Sequence, residues 1–119
     1  MRDVAADNLA GAWALVDALA GAGVRRFVVS PGSRSTPLVL ALERHPAPRL
    51  WVQVDERCGG YFALGLAKAD GEPAGLVCTS GTAAANWLPA VVEANHGNVP
   101  LVLLTADRPP QLRDCGANQ

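Results

Sequence analysis

The chain has 119 residues, 50% of them hydrophobic, and 10 basic side chains stand against 11 acidic ones for a formal net charge of -1. A chain of this length forms one domain with a core of its own. The near-neutral charge leaves no basic stripe of the kind nucleic-acid binders carry. No apolar run reaches the ~18–20 residues that cross a bilayer, so neither a nucleic-acid partner nor a transmembrane segment is expected. The N-terminal MRDVAADNLAGAW is acidic and amphipathic, unlike a secretory leader. Cys58, Cys78 and Cys115 are odd in number and lack CxxC spacing, which reads as reduced thiols in a cytoplasmic protein. Their apolar neighbours predict small buried packing residues at all three positions.

Residues 7–22 predict a helix, with Leu9, Ala12, Trp13, Val16, Leu19 and Ala20 on one stripe at helical spacing. Asp7 or Asn8 is the expected N-cap, and Gly21 with Gly23 the expected stop. RRFVVS (25–30) reads as a short buried strand and PGSRS as a turn. TPLVLALERH (36–45) reads as a helix with proline near its first turn and Pro46 beyond its end. RLWVQV (49–54) is the second strand, and ERCGGYFALGLAKA (56–69) the third helix, closed by Asp70 and Gly71. AGLVCT (74–79) is the third strand, GTAAANWLPAVVEANH (81–96) the next helix, PLVLLT (100–105) the fourth strand, and ADRPPQLRDCGANQ an irregular tail.

Strands alternating with helices imply an α/β fold, a doubly wound parallel sheet with helices on both faces. The strands are continuous apolar runs, as expected when both faces are covered. Each ends in a polar cluster: SPGSRS, DER, TSGT and TADR. In an open parallel sheet the carboxyl ends lie along one edge, and ligands bind outside that edge. Ser33, Arg34, Asp55, Glu56, Thr79, Ser80, Thr82, Asp107 and Arg108 are therefore expected on one rim. Helix capping explains any one of these clusters, but four on one rim, three of them with an arginine, favour a ligand site.

No P-loop, GxGxxG fingerprint or nucleophile elbow is present. PGSRS and TSGTA could each turn backbone N–H groups toward an anion. His45 and His96 lack metal-ligand spacing and read as structural or surface residues. No metal ligand is expected in the chain.

SPGSRSTPL (30–38), DERCGGYFALGLAKADG (55–71), CTSGTAAANWLPAVVEA (78–94) and PLVLLTADRPPQLRDCGANQ (100–119) resemble, in order, one family. It is the N-terminal pyrimidine-binding domain of the 2-succinyl-5-enolpyruvyl-6-hydroxy-3-cyclohexene-1-carboxylate synthases, thiamine-diphosphate enzymes of menaquinone (vitamin K2) biosynthesis. The DER and TSGT segments are shared more loosely by other thiamine-diphosphate decarboxylases and synthases. SPGSRSTPL and TADRPPQLRDCGANQ are the specific parts, and they argue against those relatives. A stand-alone module that binds an anion or a partner without catalysis is the other alternative.

The resemblance implies that Glu56 is the catalytic, cofactor-binding carboxyl. It would hydrogen-bond the pyrimidine N1′ and promote loss of the thiazolium proton. Ser80 and Thr82 are implied as further cofactor contacts. Ser33, Arg34, Arg108, Asn118 and Gln119 are implied at the substrate side, where guanidinium forks suit the carboxylates of 2-oxoglutarate and isochorismate. The implied reaction decarboxylates 2-oxoglutarate and adds the succinyl carbanion equivalent to isochorismate. The family's metal and diphosphate lie on another domain, with a GDG…NN segment that residues 1–119 lack. The chain thus reads as the N-terminal domain of a longer, Mg²⁺-dependent homodimeric or homotetrameric enzyme, inactive in isolation. Gly59 and Gly60, which weaken a helix, are expected to permit a close backbone approach at a subunit interface.

Overall fold

The first helix, α1 (Val4–Gly21), starts one turn earlier than expected because Asp3 caps it. The Asp3 carboxylate accepts the backbone N–H groups of Ala5 and Ala6 at 3.1 and 3.2 Å, which satisfies donors that a helix start leaves without partners. Asp7 lies inside the helix, its N–H bonded to the Asp3 carbonyl at 3.0 Å. At the other end Gly23 turns left-handed (φ 93°). The N–H of Val24 then reaches the Leu19 carbonyl at 2.9 Å, and that of Gly23 reaches the Ala20 carbonyl at 3.1 Å, a paired closure that needs the glycine. The computed structural model describes residues 3–112 and 114–116.

Four strands, β1 (Arg26–Val29), β2 (Arg49–Val52), β3 (Ala74–Cys78) and β4 (Leu101–Thr105), form one sheet in the order β2-β1-β3-β4. All three pairings are parallel, with Phe27 beside Leu50 and Gly75, and Leu76 beside Leu103. The helices are α2 (Thr36–Arg44), entered through a single 3₁₀ turn at Ser33–Ser35, α3 (Glu56–Asp70), α4 (Thr82–Ala85) and α5 (Leu88–Gly97). The single helix expected over 81–96 is thus broken in two. Pro89 falls in the first turn of α5, where its missing N–H costs nothing, and the chain turns at Asn86 and Trp87. The break sinks Trp87 to full burial.

Both faces of the sheet are covered. On one, Ala12 and Val16 of α1 and Ala41 and Leu42 of α2 pack on Phe27, Val29 and Val77. On the other, Ala63 and Ala67 of α3, with Ala83 and Trp87, pack on Val28, Leu76 and Cys78. Successive residues of a strand point to opposite faces, so β1 beyond Arg26, and all of β3, must be apolar. This is the doubly wound α/β architecture expected from the sequence.

Small residues set the spacing between layers. A Cβ on Gly75 would overlap the ring of Phe27, its neighbour on β1. A Cβ on Gly60 would lie 3.1 Å from that of Ala90 on α5, and one on Gly59 would lie 3.4 Å from the Ser30 hydroxyl. The close approach at these two glycines is therefore made inside the chain, between α3 and its own neighbours. At the amino edge of the sheet the Arg26 guanidinium donates to both carboxylate oxygens of Asp70, at 2.7 and 2.9 Å, and to the carbonyls of Leu66 and Glu72. The Arg26 bonds to the carboxylate, the Glu72 N–H donated to it at 3.0 Å and the Arg26 charge hold the Asp70 carboxyl below its ordinary value.

The histidines are structural and surface groups, as expected. His45 follows α2, with Nε2 3.3 Å from Asp17, Nδ1 accepting the Ala47 N–H, and its ring 5.3 Å from that of Trp13. His96 is exposed in the last turn of α5. The three cysteines are free thiols, but only Cys78 is buried. Cys58 is exposed in the first turns of α3, and Cys115 is exposed in the tail beyond β4. Apolar neighbours misled at these two positions because an exposed helix face and an irregular tail also carry small residues.

Candidate active site

The strand order reverses at β1: β2 lies on one side of it, β3 and β4 on the other. The crevice of such a sheet opens at this switch point, outside the carboxyl ends of β1 and β3. Hydrogen bonds just past the strands lace the edge. The Ser30 N–H reaches the Val77 carbonyl at 2.8 Å, the Gln53 N–H the Val29 carbonyl at 3.0 Å, and the Ala106 N–H the Cys78 carbonyl at 3.1 Å. All four polar clusters therefore leave from one edge, as predicted.

The loops after β1 and β3 touch. Gly32 is extended and lies so close to Thr79 that a Cβ there would collide with the threonine side chain. The β1 loop also closes on itself, with the Ser35 N–H and hydroxyl both on the Gly32 carbonyl, at 3.2 and 2.8 Å, and the Thr36 hydroxyl on the Ser33 carbonyl at 2.7 Å. After β3, Gly81 adopts a positive φ of 72°, a conformation that glycine alone takes readily. It leads into α4, whose four residues are too few to sum to a useful helix dipole.

At the head of α3 the three charges divide their roles. The Asp55 carboxylate accepts the Cys58 N–H at 2.9 Å and caps the helix. That bond, aided by the Arg57 charge, lowers the Asp55 pKa. Arg57 is exposed. Glu56 is half-buried, and its charge is felt at Cys78 on the end of β3. Burial, and secondly Glu56, push the Cys78 thiol up to about 11. A thiol reagent at pH 8 should accordingly modify Cys58 and Cys115 and spare Cys78 until the chain is unfolded. Glu56→Gln should bring the Cys78 titration down, because one of its two causes is removed. A Cys78 that reacts as fast as Cys58 in the folded protein would contradict this corner of the structure.

Arg34 is half-buried and lines a hollow of about 360 Å³ together with Asn8, Pro37, Leu38 and Asp107. The arginine of the first cluster and the aspartate of the fourth thus share one wall, and Asn8 of α1 joins them without any sequence signal. Both terminal nitrogens of the Arg108 guanidinium are buried with no protein partner among the described residues. The Arg108 backbone N–H, by contrast, donates to Asp107 at 2.7 Å. Ser33 and Thr82 are exposed and Ser80 is buried. Asn118 and Gln119 lie outside the described residues.

Two buried hydroxyls complete the edge. Ser30 is 1% exposed and Thr79 5% exposed, and neither oxygen has a protein hydrogen-bond partner among the described residues. An unpaired buried hydroxyl is costly, so such a pair at a sheet's ligand-binding edge invites a polar ligand atom. Ser30 was not expected as a site residue; its one signal was its place directly after the last apolar residue of β1. Nearby, Val29, Pro31, Gly32, Val39, Leu40 and Val52 line an apolar hollow of about 240 Å³.

A family model described as "Thiamine pyrophosphate enzyme, N-terminal TPP binding domain" matches residues 9–119. The chain belongs to this thiamine pyrophosphate enzyme family. Curated relatives called 2-succinyl-5-enolpyruvyl-6-hydroxy-3-cyclohexene-1-carboxylate synthase include one from Chloroflexus aurantiacus, 64% identical over 89% of this chain and 18% of the relative. One from Geobacillus kaustophilus is 65% identical over 91% of this chain and 19% of the relative. One from Dechloromonas aromatica is 50% identical over 100% of this chain and 22% of the relative. The thiamine pyrophosphate enzyme domain seen here thus spans about a fifth of the length of these relatives. Thiamine pyrophosphate, also called thiamine diphosphate, is the family's cofactor. The half-buried Glu56 carboxyl and the two orphaned hydroxyls lie toward the same edge of the sheet, and groups of that kind suit a nitrogen-bearing ring such as the pyrimidine end of that cofactor. Among the described residues no group of three His, Cys, Asp or Glu side chains could hold a metal ion, and no helix is long and apolar enough to cross a membrane.

Proposed function

We propose that this chain is the pyrimidine-binding part of a synthase that decarboxylates 2-oxoglutarate and adds the succinyl carbanion equivalent to isochorismate, in menaquinone biosynthesis. The observation that carries the reading is the half-buried Glu56 carboxyl at the switch-point edge of a domain whose matched relatives bear that synthase's name. When bound, thiamine diphosphate supplies the electron sink that such a decarboxylation needs. Glu56 would share a proton with the pyrimidine N1′, and Ser80 and Thr82 would help hold the ring. Mg²⁺ and the diphosphate are held by a part of the complete polypeptide beyond these residues, so this segment alone is inactive. The complete protein works as a cytoplasmic homo-oligomer, a dimer or a tetramer.

Substrate binding falls to the arginines. Arg108 carries two buried guanidinium nitrogens with no protein partner among the described residues, an arrangement that a substrate carboxylate would satisfy bidentately. Arg34, on the wall of its hollow, serves a second carboxylate, with Ser33, Asn118 and Gln119 completing the substrate side. The direct test supplies the complete polypeptide with thiamine diphosphate, Mg²⁺, 2-oxoglutarate and isochorismate and follows carbon dioxide release and product. Release of carbon dioxide without carboligation would point to another decarboxylase. Bound cofactor with no turnover would leave a binding module. Arg108→Ala should raise the substrate concentration for half-saturation roughly 10–100-fold, the worth of a charged hydrogen-bonding partner. Arg34→Ala should act in the same direction. Unchanged saturation by both substrates would make the two arginines structural.

A further inference from the structure

The corner beneath the first turns of α3 holds the Ser30 hydroxyl, one of the two orphaned hydroxyls at this edge. Alternation along β1 sends Val28 and Ser30 to the face covered by α3 and α5. The Ser30 hydroxyl lies 3.4 Å from the point where a Gly59 side chain would begin, so the glycine at that position keeps the hydroxyl clear. The bond from the Ser30 N–H to the Val77 carbonyl sets Ser30 next to Cys78 on the adjoining strand. Cys78 in turn feels the Glu56 charge. Glu56 stands three residues before Gly59 on α3, on the same side of the helix, so Ser30, Cys78 and the half-buried Glu56 border one corner. Of the other polar groups at this corner, the Cys78 thiol donates to the Thr79 carbonyl at 3.1 Å, and the Asp55 carboxylate is taken up by the Cys58 N–H. The Ser30 hydroxyl, the Thr79 hydroxyl and the Trp87 indole N–H all lack a protein partner among the described residues, and of the three it is Ser30 that lies against Gly59, one turn along α3 from Glu56.

We propose that Ser30 is a positioning residue for Glu56: in the cofactor-loaded protein its hydroxyl donates to one oxygen of the Glu56 carboxyl group, so that the other oxygen faces the pyrimidine ring. No covalent step is involved, and the hydroxyl proton stays on Ser30. The inference rests on the reading of Glu56 as the pyrimidine partner. It accounts for a buried, unpaired hydroxyl in the cofactor-free protein, since the cost of leaving it unpaired is recovered only when the ring seats.

The two states make opposite demands on Ser30, and that gives the test. In the complete polypeptide Ser30→Ala should leave the melting temperature of the cofactor-free protein unchanged or raise it, because an orphaned hydroxyl is removed. The same variant should weaken thiamine diphosphate binding, followed by tryptophan fluorescence, roughly 10-fold, the worth of one hydrogen bond to a charged group. In a Glu56→Gln background the loss from Ser30→Ala should largely vanish, both in affinity and in thiazolium-proton exchange, because the two residues act as one unit. Ser30→Cys, with a weaker donor, should fall between the two and serves if the alanine variant does not fold. Wild-type affinity in Ser30→Ala or Ser30→Cys overturns the proposal, as does full additivity with Glu56→Gln. If Glu56→Gln alone weakens binding and exchange, only the role of Ser30 fails. If neither variant changes them, the reading of the site falls as well.

Discussion

Glu56→Gln lowers the rate of thiazolium-proton exchange in the cofactor-loaded complete polypeptide by on the order of 10²–10⁴-fold, the usual worth of a positioned acid–base group. Glutamine keeps the size and hydrogen-bonding reach of the side chain. It cannot share a titrating proton with a ring nitrogen, so the loss isolates that function. The fold should survive, because Asp55 and not Glu56 accepts the Cys58 N–H at the head of α3. Loss of a negative charge from the first helical turn costs only about 0.3–1 kcal/mol. Proton exchange is measured by following deuterium entry at the thiazolium carbon under saturating cofactor. Exchange at the wild-type rate in a protein that still binds the cofactor would remove Glu56 from the mechanism.

Gly75→Ala should destabilise the chain by about 3 kcal/mol, the upper part of the range for overfilling a packed core. Gly75 lies on β3 beside Phe27 on β1, in the centre of the sheet, and the added methyl would overlap the Phe27 ring. Phe27 is fully buried under α1 and α2, so the ring has nowhere to retreat without parting helix from sheet. Denaturant unfolding should show a lower midpoint with an unchanged slope. Phe27→Leu in the same chain should recover part of the loss, because the two residues share one volume. Gly65→Ala is the contrast. Nothing lies within 4 Å of its added methyl, and alanine favours the helix by about 1 kcal/mol. Equal destabilisation by both changes would mean that contact with Phe27 does not set the spacing of β1 and β3.

What could be read from the residues followed how local each signal was. The runs FVV and AGLVC announced strands covered on both faces because successive residues along them are apolar, and the layers of helices account for that. The start of α1 was misplaced because Asp3, Asp7 and Asn8 are all capable caps. The choice among them depends on which residues the helix must still bury. The break at Asn86 and Trp87 was legible in principle from Pro89, but a helix also accepts proline in its first turn, and the apolar pattern runs on through the break. At the rim, the four clusters could be located from topology alone. The role of Glu56 came from resemblance, since a carboxylate beside a capping aspartate looks like a second cap. Ser30 was missed because burial and the lack of a partner are properties of packing, which no local pattern records. Exposure of Cys58 and Cys115 was missed for the same reason.

Helix α3 is pinned by a carboxylate at each end: Asp55 accepts a backbone N–H at its head, and Asp70 grips Arg26 at its tail. Both pKa values lie below the ordinary 3.8. A depressed carboxyl contributes its stabilisation above the unfolded value and loses it only as the pH falls through the folded one. Both anchors therefore hold throughout mild acid. The helix that carries Glu56 is thus clamped at both ends by contacts that acid loosens later than it would loosen those of an ordinary aspartate.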